Sequence, residues 1–160
     1  MSALEEYPKT VVLNDGAHLT LRPVAASDEP ALGAFRARLD AAERSRVDGV
    51  RAEGDALWIL AADAARVVGV VGLVRDGAPA EAEVRLALDR DYRGRRLGTW
   101  MLLDAVHLAS ALGIGRLVAC VRGDATAELA ALRRLDFVDD AGAAGGRRLA
   151  KTLHAGWTDF

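Results

Sequence analysis

The sequence predicts an α/β protein, more closely an α+β mixed sheet with helices on both faces. Three observations lead there. Short alternating or apolar runs recur at strand length, apolar residues repeat at helical spacing between them, and the order reads β-α-α-β-β-β-α-β-α-β-β.

Ala17 to Val24 alternates, with Leu19 and Leu21 set against His18, Thr20 and Arg22, and Pro23 closes it as the first strand. Ser27-Asp28-Glu29-Pro30 combines capping side chains, acids near the positive helix end and a first-turn proline, so a helix starts there. Ala31, Phe35 and Leu39 share its inner face, and a short polar helix follows from Ala41 to about Val47. Leu57 to Ala61 and Arg66 to Val74 are strands joined by Ala62-Asp63-Ala64-Ala65, the second apolar enough to be buried on both faces. Asp76-Gly77-Ala78-Pro79 has turn chemistry. In the strand from Ala82 to Leu88, Val84, Leu86 and Leu88 take one face while Glu83, Arg85 and Ala87 take the other. Leu97, Met101, Ala105, Leu108 and Leu112 then mark a long helix that Gly113 and Gly115 stop. Arg116 to Arg122 is a strand. Asp124 caps a helix running through Leu135, with Leu129 and Leu132 inward and Glu128, Arg133 and Arg134 outward. Phe137-Val138 and Arg148 to Leu153 close the sheet around an Ala141-to-Gly146 loop.

The 160 residues suit one domain, with no repeat, linker or composition break to divide them. Twenty-one basic and 23 acidic side chains leave a net charge of −2, so no global field exists to hold nucleic acid or an anionic membrane. A nucleic-acid role for Arg90, Arg93, Arg95 and Arg96 lacks the interleaved aromatic residues it would need beyond Tyr92. The acidic start is unlike a secretory signal, and the apolar run Val67–Val74 is far below the roughly 18 residues of a membrane span, so a cytoplasmic protein is expected. A single cysteine, Cys120, excludes an intramolecular disulfide, and its apolar strand predicts a buried, inert thiol. His18, His107 and His154 show no metal-ligand spacing, so no metal site is expected. Trp157 and Phe160 hint at an interface, which would suit a homodimer.

The strongest functional signal is the strand-to-helix junction Arg93-Gly94-Arg95-Arg96-Leu97-Gly98-Thr99. Glycines let backbone approach a ligand, free N–H groups at a helix start bind anions, and the three arginines add charge suited to phosphate. The spacing fits neither a Walker loop nor a dinucleotide fingerprint. The plain alternative is a solvated basic turn before an amphipathic helix.

This junction resembles the acetyl-CoA pyrophosphate loop of the GNAT N-acetyltransferase superfamily, Gln/Arg-x-x-Gly-x-Gly/Ala, with Arg93 first and Gly98 last. Arg96 stands at the family's usual first glycine, which it tolerates if its φ lies below zero. The element order is similar along nearly the whole chain, and Leu135-Asp136-Phe137 falls where the family often has Leu-Gly-Phe. Leu13-Asn14-Asp15-Gly16, Leu21-Arg22-Pro23 and Ala82-Glu83-Val84 look most like Pat-type protein-lysine acetyltransferases.

The resemblance implies one GNAT domain over residues 1–160, a mostly antiparallel sheet splayed in its middle, and acetyl transfer to a primary amine by direct attack in a ternary complex. Acetyl-CoA would be the co-substrate, and the acceptor a protein lysine or a small amine. Glu83 would be the general base, its plain alternative being an ion pair with Arg85; Glu81 is a more solvated rival. Main chain at Leu86, Ala87 and Leu88 would pair with pantetheine and stabilise the oxyanion, and Arg93 through Thr99 would cradle the pyrophosphate. Tyr92 would pack beneath the loop, with Trp100 either core or cofactor rim. Acceptor choice would lie in the segment from Phe35 to about Gly54 and near the C-terminus. Leu132 occupies the place of the tyrosine with which many members protonate the thiolate, leaving water for that role. These departures motivate a second reading, a non-catalytic acyl-CoA-binding or sensing module of the same fold.

Overall fold

The structure, a computed structural model, describes residues 3–50, 56–75, 80–121, 126–140 and 147–153. Its strands form one eight-stranded sheet. The first five, β1 (Lys9–Val12), β2 (His18–Pro23), β3 (Ala56–Asp63), β4 (Arg66–Val74) and β5 (Glu81–Leu88), are antiparallel neighbours in chain order. Then β6 (Arg116–Val121) joins β5 in parallel, β8 (Arg147–Thr152) runs antiparallel beside it, and β7 (Val138–Asp140) forms the far edge. This is the mixed, mostly antiparallel sheet the sequence predicts.

Helices α1 (Glu29–Ala37) and α2 (Ala41–Arg46) serve one face, where Leu32, Phe35, Leu39 and Val47 pack on Trp58, Leu60, Val67 and Val70. Helices α3 (Leu97–Ala111) and α4 (Thr126–Arg134) serve the other, where Leu97, Met101 and Leu132 join Ile59, Val68, Val84, Leu86 and Leu117. Strand β4 is buried on both faces, as its unbroken apolar run requires. No helix among the described residues is long and apolar enough to cross a membrane.

Several details differ from the sequence reading. Strand β1 precedes the first predicted strand and is fastened to α3 through Asp104, a buried carboxylate that accepts from Tyr7 Oη and, at 2.6 Å, from Lys9 Nζ. Asp28 does not cap α1. Its carboxylate takes both Nη groups of Arg22, at 2.6 and 2.7 Å, and the Ala25 N–H, tying β2 to the helix entry. The second helix does have a side-chain cap, the Glu43 N–H donating to Asp40 at 2.9 Å. Leu112 follows α3 and is exposed rather than in the core. The turn at Asp76–Pro79, the Asp124 cap, the 141–146 loop, His154, Trp157 and Phe160 lie outside the described residues.

Asp136 has φ +67°, and it stands where the resembled family often places glycine. A side chain in the left-handed region costs free energy that glycine avoids. Replacing Asp136 with glycine is therefore expected to stabilise the fold by about 0.5–1 kcal/mol, measurable by urea denaturation.

Candidate functional site

The site begins where two strands part. Strands β5 and β6 pair at Glu81↔Arg116, Ala82↔Leu117 and Glu83↔Val118, and no further. From there β5 keeps only β4, while β6 continues against β8. The Asp89 N–H donates to Val68 O at 2.8 Å, so the antiparallel alternation turns the main-chain groups of odd-numbered β5 residues toward β4. Those of Val84, Leu86 and Leu88 therefore point into the notch between β5 and β6. Of the three residues expected to offer main chain to a ligand, Leu86 and Leu88 are placed to do so; the groups of Ala87 are turned to β4.

Arg46, from α2, reaches into this notch. Its Nη1 lies 3.3 Å from Leu86 O and 2.8 Å from Oε2 of Glu128 on α4, and both side chains are largely buried. Helical periodicity puts Glu128 outward, but α4 lies close enough to α2 for its first turn to complete an ion pair. Arg46 is the notch residue that sequence reasoning missed; a short polar helix gives no sign of what it will face.

At its far end β5 runs into an electrostatic node. Asp89 is 2% exposed and accepts from Arg38 Nε at 2.7 Å, Arg66 Nη2 at 2.9 Å and the Asp91 N–H at 3.1 Å. It thereby joins α1, β4 and the short 3-10 turn Arg90–Tyr92. Burial pushes this carboxyl up, but the bonds from Arg66, the Asp91 amide and Arg38 outweigh it and hold the carboxyl below its ordinary value. Tyr92 packs beneath the next residues, donating to Asp63 Oδ2 at 2.5 Å, with the Arg95 guanidinium 4.5 Å above its ring.

The loop from Arg93 to Arg96 delivers the chain to α3. Gly94 has φ +75° and Arg96 φ +67°. Arg96 thus has a left-handed backbone, and the negative φ set as the condition for an arginine at the family's glycine position is not met. Two loop arginines are engaged: Arg93 with Glu43 on α2, and Arg95 with Asp15 at 2.6 Å. Arg96 is exposed and pairs with no acid among the described residues. A Cβ on Gly98 would meet Leu88 Cδ1 at 3.3 Å and Leu86 Cδ2 at 3.4 Å. The glycine therefore seats α3 closely on β5, which brings the first-turn N–H groups, unpaired within the helix, beside the notch. Leu97 is fully buried, Thr99 is half-buried and Trp100 is exposed.

On the face of β5 opposite α3, Glu83 and Arg85 are both about one-third exposed, and Arg85 Nε donates to Glu83 Oε1 at 2.5 Å. The ion pair weighed as an alternative is present, yet it uses only one oxygen of the carboxylate. Glu81 is less free than expected, since Arg116 donates to it at 3.0 Å and Arg148 at 3.3 Å. Cys120 is exposed rather than buried, because its face of β6 opens where β5 has left. Protein packed around the thiol, then the Glu83 charge, push its pKa up, so it stays protonated at neutral pH. No group of three or more metal-ligating side chains forms among the described residues.

The family model described as the acetyltransferase (GNAT) family matches residues 21–137, and the chain belongs to that family. Its fold is that of the GNAT domain of S. lividans PAT, with TM-score 0.81 and 21% identity over 92% of this chain and 98% of that one. The paia N-acetyltransferase of Thermoplasma acidophilum, crystallised with coenzyme A, is similar at TM-score 0.68 and 15% identity, over 84% of this chain and 99% of that one. A cAMP-binding acyltransferase from Mycobacterium smegmatis matches 98% of this chain with 53% of its own, at TM-score 0.67 and 20% identity. No curated protein matches the chain by sequence.

Two outcomes are expected. Gly98→Val should press α3 away from β5, costing about 1–3 kcal/mol of stability and weakening coenzyme A binding in the same protein, as read by thermal melting and calorimetry. Asp89, with its folded-state pKa depressed, contributes stability that is present above the unfolded value of about 3.9 and is lost as pH falls through the folded value. Asp89→Asn should therefore lower stability by about 2 kcal/mol at neutral pH, and its melting temperature should fall less steeply than that of the parent below about pH 4.

Proposed function

We propose that the protein is an acetyl-CoA-dependent N-acetyltransferase acting on a primary amine by direct attack. The observation that carries this reading is the open backbone edge of Leu86 and Leu88, which leads straight to the N-terminus of a 15-residue helix behind a Gly- and Arg-rich loop. An extended pantetheine arm would pair with that edge as an added strand, Arg46 giving up the Leu86 carbonyl to it. Acetyl-CoA supplies the acyl group as an activated thioester. The loop from Arg93 to Thr99 holds the pyrophosphate through first-turn N–H groups and the uncommitted charge of Arg96. A main-chain N–H of the β5 edge stabilises charge developing on the acyl oxygen.

Glu83 is the general base. Its Oε2 makes no hydrogen bond among the described residues, while Arg85 fixes the other oxygen and with it the rotamer. As the amine nitrogen bonds to the acyl carbon and the carbon–sulfur bond breaks, the amine proton passes to Glu83 and water returns one to the thiolate. Leu132, at the place of the family tyrosine, is fully buried and apolar, which supports water for that step. A lysine on a protein and a small amine both satisfy this chemistry.

The sensing alternative draws support from the Arg46–Glu128 pair lying in the notch. Thiol release from acetyl-CoA across a panel of amines separates the two readings, because a sensor binds coenzyme A and releases none above background. For the enzyme, Glu83→Gln is expected to lower kcat about 10²–10⁴-fold with little change in coenzyme A affinity. Near-normal turnover in that variant would leave Glu83 as the structural partner of Arg85 and remove it from the mechanism.

A further inference from the structure

The Arg85–Glu83 pair is half used. Arg85 donates to Glu83 through Nε alone, and its two Nη groups have no partner among the described residues. Glu83 in turn keeps Oε2 free of hydrogen bonds among the described residues. The result is a short dipolar strip on the sheet face away from α3, carrying an open cationic fork beside an open carboxylate oxygen. Both open ends belong to groups already in contact, so a ligand that satisfies both must hold its own charges equally close together.

The surroundings fix where the fork is presented. Gly72 stands opposite Arg85 on β4, and the ring of Trp58 lies on it, 2.4–2.7 Å from the place of a glycine Cβ. The space on that side of Arg85 is thus filled by indole, and the guanidinium lies toward Glu83. On the notch side, Glu83 stands opposite Val118 on β6 with Arg85 bonded to it, Arg148 on β8 stands opposite Cys120, and Arg46 reaches Leu86 O, so these four charges line the place where β5 and β6 part. Arg148 and Arg46 are already neutralised in part by Glu81 and Glu128. Arg46 gives Nη1 to Glu128 and Arg148 gives Nη2 to Glu81, whereas neither Nη of Arg85 has a partner among the described residues.

We infer that the acceptor is a small amino acid-like amine whose own carboxylate sits a carbon or two from the nitrogen, the carboxylate docking on the Nη fork of Arg85 while the amine faces Glu83. The inference rests on the transferase reading and names its substrate class. A planar guanidinium matches a carboxylate with two parallel hydrogen bonds, and such charge-assisted pairs discriminate strongly against an analogue that lacks the charge. Binding there also aims the amine, since the carboxylate anchors it next to the base. A polyamine has nothing to offer the fork and meets it with like charge. A lysine side chain within a protein carries no carboxylate near its nitrogen.

The test is acetyl-CoA turnover, followed by thiol release, with the common L-amino acids and the C-terminal amide of each as matched acceptors. At least one amino acid is expected to exceed its amide about 10–100-fold in kcat/KM. Arg85→Gln should bring that ratio to within about twofold of one, and Arg85→Lys should retain part of it. Coenzyme A calorimetry on each variant confirms that the site is folded; if the glutamine variant fails there, the ratio in the parent and the lysine variant decides. Amides, polyamines or lysine-containing proteins accepted as well as the free amino acids would overturn this inference and leave the transferase standing. No thiol release with any amine, from a protein that binds coenzyme A, would overturn both.

Discussion

Two strands that pair for three residues and then part set the terms for the rest of this molecule. Backbone N–H and C=O groups need partners, and a strand interior is a costly place to leave them unmet. Beyond Glu83 no strand among the described residues pairs with the inner edge of β5, and one of its carbonyls takes Arg46 instead. The groups that the proposed reaction uses lie along that edge: the carboxylate of Glu83 at its start, the open main chain of Leu86 and Leu88, and the glycine-seated helix at its end. The fold supplies a linear template, and the side chains decide what each segment of it does.

Holding the template open calls for rigid supports on either side, and these are buried acids. Asp89 ties α1, β4 and the turn beyond β5; Asp28 ties β2 to the start of α1; Asp104 ties β1 to α3. Each carboxylate satisfies several donors from separate elements. Such pairs add little net stability beside apolar packing, but they specify geometry and are costly to break singly. In this chain they surround the site without entering it.

Much of this was legible in the sequence because it depends on period. Alternation along 82–88 separates Glu83 and Arg85 from Leu86 and Leu88, and the helical repeat after Gly98 gives α3. What escaped depends on tertiary placement. The four residues of β1 are too few to outweigh an adjacent proline, and Cys120 reads as core because nothing local reveals that β5 has left its side. Glu128 obeys its helical period yet meets Arg46 on a helix remote in sequence. Arg96 and Asp136 show a further limit. Their left-handed backbones are imposed by the turns that hold them, and the resemblance to family glycines was the one sign of it.

The ends of the sheet have a consequence of their own. Its two outer strands, β1 and β7, hold only four and three residues. Short borders offer few unmet hydrogen-bonding groups in a row, which is how natural sheets avoid recruiting strands from their neighbours. An internal gap therefore coexists with blunt outer margins. The molecule keeps its open backbone inside the sheet, between two strands and next to an arginine.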